Sequence, residues 1–279
     1  MNFPPPNPNF PPFPLNPVVG QRWLGWVWNG AQWVQTPASG MQVLTTVFNA
    51  SGPYMPSPGL VSLTVECIGG GGGGGAVEAS LPVLWIVGGA GGGSGGYSRK
   101  TLPASLVLGG VVVTVGQGGA SNANGTVTSF GALCVANGGF GANVDQPEFA
   151  GVAAGAGGVP GIGDFACAGA TGDNGFIVVL AAAQSNNGAC AKGGQVFGGN
   201  LTGEVGPHAA TNGPDGYANS GAGGGGAAVN QLVAAQFNGG TGGSGVCIVT
   251  EYCWADVAAG EDCGCAPGGA RIAGGFDEC

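Results

Sequence analysis

The sequence predicts an all-β fold, and three observations predict it. No segment sustains an apolar repeat of 3.6 residues, the signature of an amphipathic helix. Several short segments instead alternate apolar and polar residues with a period of two. Glycine supplies 64 of 279 residues, too many for helices, where each costs about 1 kcal/mol relative to alanine. The expected organisation is a Pro-rich arm over 1–18, a Trp-rich β-hairpin over 19–40, a glycine-rich β domain over 41–253 and a Cys-rich tail over 254–279. Within the β domain the sequence predicts a sandwich or jelly roll, with glycine-rich loops inserted at one end.

Residues 1–18, "MNFPPPNPNFPPFPLNPV", cannot fold alone. The prolines hold an extended polyproline II path, with Phe3, Phe10 and Phe13 spaced along it. Such a segment docks into a groove on a partner. The next segment, "GQRWLGWVWNGAQWVQT", carries Asn29-Gly30, the preferred pair of a two-residue type I′ turn. That turn would pair Trp28 with Ala31, Val27 with Gln32 and Trp26 with Trp33, placing Trp26, Trp28 and Trp33 on one face. A lone hairpin is marginal in water, so this face needs a cover, either the rest of the chain or another subunit. Together Phe3, Phe10, Phe13, Trp26, Trp28 and Trp33 form the expected anchoring set.

Short strands follow. "QVLTTVF" (42–48) is one. "LVSLTVECI" (60–68) sends Val61, Leu63, Val65 and Cys67 one way and Ser62, Thr64 and Glu66 the other. "VVVTVG" (111–116), "TVTSF" (126–130), "ALCVA" (132–136) and "GVCIVTEY" (245–252) continue the pattern. Glycine stretches lie between them, at 69–96, 138–175, 186–226 and 238–245. The extreme is Gly69 to Gly75, seven glycines in a row. A glycine loses more backbone entropy on ordering than any other residue, so an ordered run needs a compensating interaction. Polyglycine II supplies one. It is an extended helix with three residues per turn. Without side chains, neighbouring copies approach closely and exchange backbone hydrogen bonds on several sides, so buried backbone is satisfied without an apolar core.

Composition excludes several classes of function. Glycine and proline, 64 and 19 residues, reach the level at which aperiodic chains read as low-complexity. Yet 44% of residues are hydrophobic and 7% charged, the reverse of a disordered chain. No Gly-X-Y period exists, so collagen is excluded. Net charge is −9, with Arg22, Arg99, Lys100, Lys192 and Arg271 the only Lys and Arg residues; this balance repels phosphate, and nucleic-acid binding is excluded. No run of 18 apolar residues indicates membrane insertion. The start has no basic region followed by an apolar one, as an export signal would, which leads to an expectation of assembly in the host cytoplasm and later release.

No catalytic, cofactor or metal residues are expected. GxGxxG matches carry no information in a chain this rich in glycine, and neither lysine sits in a phosphate-binding loop. The sole histidine, His208, has no base or nucleophile beside it in sequence. Asp164 and Asp173 match a calcium nonapeptide repeat only in part, with no third copy. Nine cysteines are present. Cys67, Cys134 and Cys247 sit in apolar strands and are expected to be buried as small hydrophobes. Cys253, Cys263, Cys265 and Cys279 cluster at the C-terminus. Their spacing departs from common zinc modules, so disulfides are expected there, with Cys279 the first candidate for an inter-chain bridge.

The segments "GLVSLTVECIGGGGGGG", "GGSGGYSRKTLP", "VVVTVGQGG", "TVTSFGALCVANGG" and "GTGGSGVCIVTEY" occur in an order that resembles the glycine-rich domain of bacteriophage tail-fibre and receptor-binding proteins, over roughly residues 42–253. The resemblance implies a structural and adhesive virion appendage, often a homotrimer, built with other virion proteins. The expected function is a fibre, spike or collar subunit held to the particle by its N-terminus. The alternatives are a receptor-binding adhesin at a fibre tip, with a host surface receptor as partner, and an extracellular glycine-rich matrix or ice-binding protein. The nine cysteines and the tail after Tyr252 depart from the family pattern.

Overall fold

The computed structural model describes residues 18–19, 22–23, 26–28, 30–35, 41–77, 85–143, 153–179, 188–189, 194, 204–205, 210–230 and 236–254. These residues carry strands and one 3₁₀ turn (Ala104–Leu106) and no α-helix, as expected. Contacts divide the chain into two compact units, Val43–Cys253 and the segments flanking it.

In the flanking unit, β1 (Arg22–Trp23), β2 (Trp26–Trp28) and β3 (Trp33–Gln35) form a small antiparallel sheet in that order. The hairpin exists, but its register differs from the expectation. Trp28 pairs with Trp33, Val27 with Val34 and Trp26 with Gln35. The observed register sets tryptophan opposite tryptophan and valine opposite valine. Such cross-strand pairs stabilise more than the expected Trp–Ala and Val–Gln pairs. The shift is two residues, so positions 26, 28 and 33 still have the parity of one face. Gly30 takes φ of +97°, a conformation that favours glycine. Strand β1 was not expected; it sets Trp23 opposite Trp26.

Among the described residues, fourteen further strands follow in chain order, β4 (Met41–Phe48), β5 (Gly52–Tyr54), β6 (Leu60–Ile68), β7 (Trp85–Gly88), β8 (Tyr97–Pro103), β9 (Val111–Thr114), β10 (Thr128–Phe130), β11 (Cys134–Ala136), β12 (Phe165–Cys167), β13 (Phe176–Val179), β14 (Gly188–Ala189), β15 (Glu204–Val205), β16 (Ala228–Asn230) and β17 (Val246–Trp254). A five-stranded sheet runs β12-β8-β6-β17-β4 and a four-stranded sheet β11-β10-β9-β5. Both feed one core. Leu63, Val65 and Cys67 of β6, Leu102 of β8, and Cys247 and Val249 of β17 meet Val113 of β9, Phe130 of β10 and Cys134 of β11, all nearly or wholly inaccessible to solvent. The alternation expected for β6 holds, except that Val61 is 38% exposed where the strand runs past the core.

Strand β8 is the central element that periodicity did not indicate. It pairs with β6 from Ser62↔Pro103 to Ile68↔Tyr97. Its sequence, YSRKTLP, carries one large aliphatic residue. Leu102 is buried, and Ser98 fills an inward position by donating from Oγ to the carbonyl of Val135 at 2.6 Å. A small hydroxyl and a half-buried lysine, Ser98 and Lys100, on the same face as Leu102 erased the period-two signal.

The glycine stretches leave the sandwich at one end. Ile68 of β6, Tyr97 of β8 and Val246 of β17 lie in register, and glycine segments begin or finish next to each of them. Further out, β13, β7 and β16 form a three-stranded sheet, and β14 pairs with β15.

Candidate functional site

The feature that separates this chain from an ordinary sandwich is the packed glycine bundle. Its centre is Gly69–Gly75, every residue of which is buried. Each backbone N–H in this run donates at 2.7–3.0 Å, and the partners repeat every three residues. Gly69, Gly72 and Gly75 donate to Gly96, Gly93 and Ala90. Gly70 and Gly73 donate to Thr126 and Ala123, and Gly71 and Gly74 to Gly243 and Gly240. The carbonyls face three other segments. Those of Gly70 and Gly73 accept from Gly139 and Ala142, those of Gly71 and Gly74 from Gly119 and Asn122, and those of Gly72 and Gly75 from Gly224 and Ala227. One string therefore has six hydrogen-bonded neighbours, the arrangement and three-residue period of polyglycine II.

A second string, 89–96, is equally buried. Its N–H groups go to Ala227, Gly224 and Gly221, to Phe140 and Asn137, and to Asp173 and Ala170, again by threes. Glycine is required here by proximity. None of Gly69–Gly75 has a positive φ, so alanine could adopt the backbone. It could not fit. A Cβ on Gly73 would lie 1.7 Å from the carbonyl oxygen of Ala120, and one on Gly72 would lie 2.1 Å from that of Phe140.

At the perimeter a side-chain oxygen replaces the missing neighbour. Asn124 Oδ1 accepts from the N–H of Gly141 at 2.9 Å, Asn212 Oδ1 from Asn238 at 3.0 Å and Asp215 Oδ1 from Thr241 at 2.7 Å. Ser121 Oγ accepts from Gly239 at 2.9 Å and Ser244 Oγ from Asn219 at 2.8 Å. Sequence reasoning missed these capping residues. The available signal was the scatter of Asn, Asp and Ser through the glycine stretches. On the outer string 153–162, Ala153, Ala156, Val159 and Ile162 face solvent at every third position. Side chains there keep another string from docking at glycine spacing.

The sandwich holds two polar clusters of its own. Glu251 of β17 is 4% exposed. Its Oε1 accepts from Tyr54 Oη at 2.6 Å and from the Ser57 N–H at 2.9 Å, and its Oε2 from Ser57 Oγ at 2.7 Å. Burial alone raises its pKa, but these hydrogen bonds outweigh burial and hold the carboxyl below its ordinary value. Burial, then the bond to Glu251, push the Tyr54 hydroxyl far up. On the outer face of the same sheet, Tyr97 Oη donates to Glu66. The second cluster is thiol. Cys67, Cys134 and Cys247 are wholly buried, as expected, and the Cys67 and Cys247 sulfurs lie 3.8 Å apart. Hydrogen bonding with Cys134 and then with Cys247, followed by burial, pushes the Cys67 thiol up.

The other residues singled out by sequence fall as follows. Cys253 is a buried free thiol near the end of β17. Burial, then the charge of Glu251, push that thiol up. Its expected partners Cys263, Cys265 and Cys279 lie outside the described residues, as do Phe3, Phe10, Phe13 and His208. Trp26, Trp28 and Trp33 lie in the small sheet, with Trp28 half-buried. Asp164 Oδ2 accepts from the Thr101 N–H at 2.9 Å, and Asp173 contributes its carbonyl to Gly91. Among the described residues, no three His, Cys, Asp or Glu side chains gather as a metal-ligand group, and no helix is long and apolar enough to cross a membrane.

No curated protein matches the chain. A family model described as a glycine-rich domain matches residues 49–252. That span runs from the turn after β4 almost to the end of β17 and takes in both sheets and the glycine bundle. The chain belongs to this glycine-rich domain family.

Proposed function

We propose that this protein is a structural subunit of a bacteriophage virion appendage, a fibre, spike or collar component, assembled with other virion proteins as a homotrimer. It is made in the host cytoplasm and leaves with the particle. One observation carries this reading. The bundle centre is backbone packed on backbone, with the string Gly69–Gly75 hydrogen-bonded to six others. Such a core offers stiffness and close packing and presents no side chains for chemistry, so the role is mechanical and not enzymatic. The order of the strand motifs around the glycine stretches supports the virion assignment by resemblance.

The N-terminal Pro/Phe arm with the tryptophan sheet is the attachment element. Deleting residues 1–18 should leave a folded chain that no longer joins the particle. The decisive measurement is imaging of intact particles carrying a tagged copy of this chain; a chain absent from purified particles removes the proposal. Native mass of the full-length protein tests the trimer, and a monomer counts against it.

A second reading, an adhesin that touches a host receptor, is favoured by exposed aromatics on or beside the glycine strings. Phe165 is 59%, Tyr217 52% and Phe140 42% exposed, and aromatic residues are enriched where protein surfaces bind. Purified protein that competes with particles for adsorption to host cells would support it. Absence of competition by a correctly assembled oligomer would leave the structural reading alone.

A further inference from the structure

The first and last strings of the glycine bundle join two neighbouring strands. The bundle opens at Gly69, two residues after Cys67 of β6, and its last string closes at Gly245, two residues before Cys247 of β17. Those two cysteines are direct partners in the antiparallel ladder. Directly opposed residues have Cα atoms about 4.5 or 5.5 Å apart, inside the range that a disulfide spans. Both side chains point into the sandwich core, with sulfurs 3.8 Å apart and no atom of solvent contact. Cys134, the third thiol of the cluster, belongs to the facing sheet. Its Sγ reaches the Ser98 carbonyl at 3.5 Å and the Val65 carbonyl at 3.9 Å and also hydrogen-bonds with Cys67, but it is not the ladder partner of either cysteine.

From this placement we infer that Cys67 and Cys247 are an oxidation site, a cross-strand disulfide that fastens the mouth of the glycine bundle when the chain folds in an oxidising medium. The bond would join positions 180 residues apart, and every glycine string of the bundle lies within the closed loop. The inference does not depend on the virion reading.

The oxidant is a small-molecule disulfide such as oxidised glutathione. One cysteine thiolate attacks a glutathione sulfur, giving a mixed disulfide and releasing one glutathione. The second cysteine then attacks the cysteine sulfur of that mixed disulfide and expels the other glutathione. Two protein thiols are oxidised, one glutathione disulfide is reduced to two thiols, and the two protons leave on them. Because both sulfurs are enclosed in the finished sandwich, exchange belongs to the stage before β17 docks. Once closed, the bond is shielded from reductant.

The test is cell-free synthesis of the full chain in a buffer rich in oxidised glutathione, beside the same synthesis under reductant. Alkylation and peptide mapping should find Cys67 joined to Cys247 in the first sample and both alkylated in the second. The bond should resist added reductant in the native protein and yield to it in denaturant. Oxidation should raise the folded-to-unfolded ratio by roughly 30-fold or more, the lower end of what a disulfide contributes. The Cys247→Ala chain in the same buffers should show no such gain. Mapping the unaltered chain decides the matter even if that variant does not fold. Cys67 and Cys247 both free after oxidising synthesis, or Cys67 joined to Cys134 instead, would overturn the assignment.

Discussion

The sandwich and the glycine bundle are two solutions to the same requirement, a solvent-free interior with every polar group paired. In the sandwich, side chains such as Leu63, Val113 and Phe130 fill the space between sheets, and ladder bonds within each sheet satisfy the backbone. In the bundle the backbone itself fills the space, and the central string bonds to neighbours on all sides. The sandwich is therefore sensitive to atoms removed, because a cavity forms. The bundle is sensitive to atoms added, because no gap exists to receive them.

The largest expected effect breaks the bundle by one addition. Gly73→Val places a Cβ where the Ala120 carbonyl oxygen already sits, 1.7 Å away. The obstacle is backbone held by its own neighbours, so it cannot swing aside as a side chain would. A loss well above about 4 kcal/mol follows; the expected outcome is no soluble folded chain, read by expression and circular dichroism. A well-folded Gly73→Val protein would contradict the close packing described here.

Removal should hurt the sandwich next. Phe130→Ala empties the largest fully buried side chain of the core, at a cost of about 3–5 kcal/mol. Denaturant titration should show a lower midpoint while the bundle glycines stay protected from hydrogen exchange up to global unfolding. Early loss of protection in Gly69–Gly75 would show that the bundle leans on the sandwich core more than its own bonds suggest.

Acid separates the regions in another way. Glu251 is a buried carboxylate of the sandwich, whereas the central strings carry none. Its pKa is lowered in the folded chain, so its stabilising contribution is complete above the ordinary carboxylate range. That contribution is lost as pH falls through the lowered folded value. Tyr54→Phe removes one hydrogen bond to this charge and should cost about 1–3 kcal/mol at neutral pH. The variant should also lose less further stability on acidification than the parent. Parallel denaturation curves against pH check this, and identical acid slopes would rule out Glu251 as the source.

The smallest effect marks the limit of the glycine rule. Gly109 lies in a turn with nothing within 4 Å of the place a Cβ would occupy and without a positive φ. Gly109→Ala should change stability by no more than about 0.5–1 kcal/mol, toward a gain, because the unfolded chain loses freedom. Thermal melting of Gly109→Ala beside Gly73→Val would show that position within the bundle, and not glycine as such, sets the sensitivity.

Much of this was legible in the residues. Alternation located β6, short apolar runs located β9 and β17, the absence of a 3.6-residue period excluded helices, and seven glycines in succession pointed to polyglycine II. The anchoring set and the C-terminal thiols rested on composition and spacing, and of these the described structure places Trp26, Trp28, Trp33 and Cys253. Strand β8 was hidden because Ser98 and Lys100 stand where apolar residues would have revealed the alternation. The tryptophan hairpin formed in another register, since Asn29-Gly30 specifies a turn locally while Val27–Val34 and Trp28–Trp33 pairing is settled across strands.

The chain's composition by itself determined that the backbone would have to pack against backbone, because 64 glycines leave too few side chains to fill the interior. Which string lies beside which was decided only in three dimensions. Gly71 donates to Gly243 and Gly74 to Gly240 across most of the chain, and identical glycines carry no side chain to encode that choice. The flanking strands make it for them, since β6, β8 and β17 pair in one register through their own side chains and thereby fix where each glycine string starts.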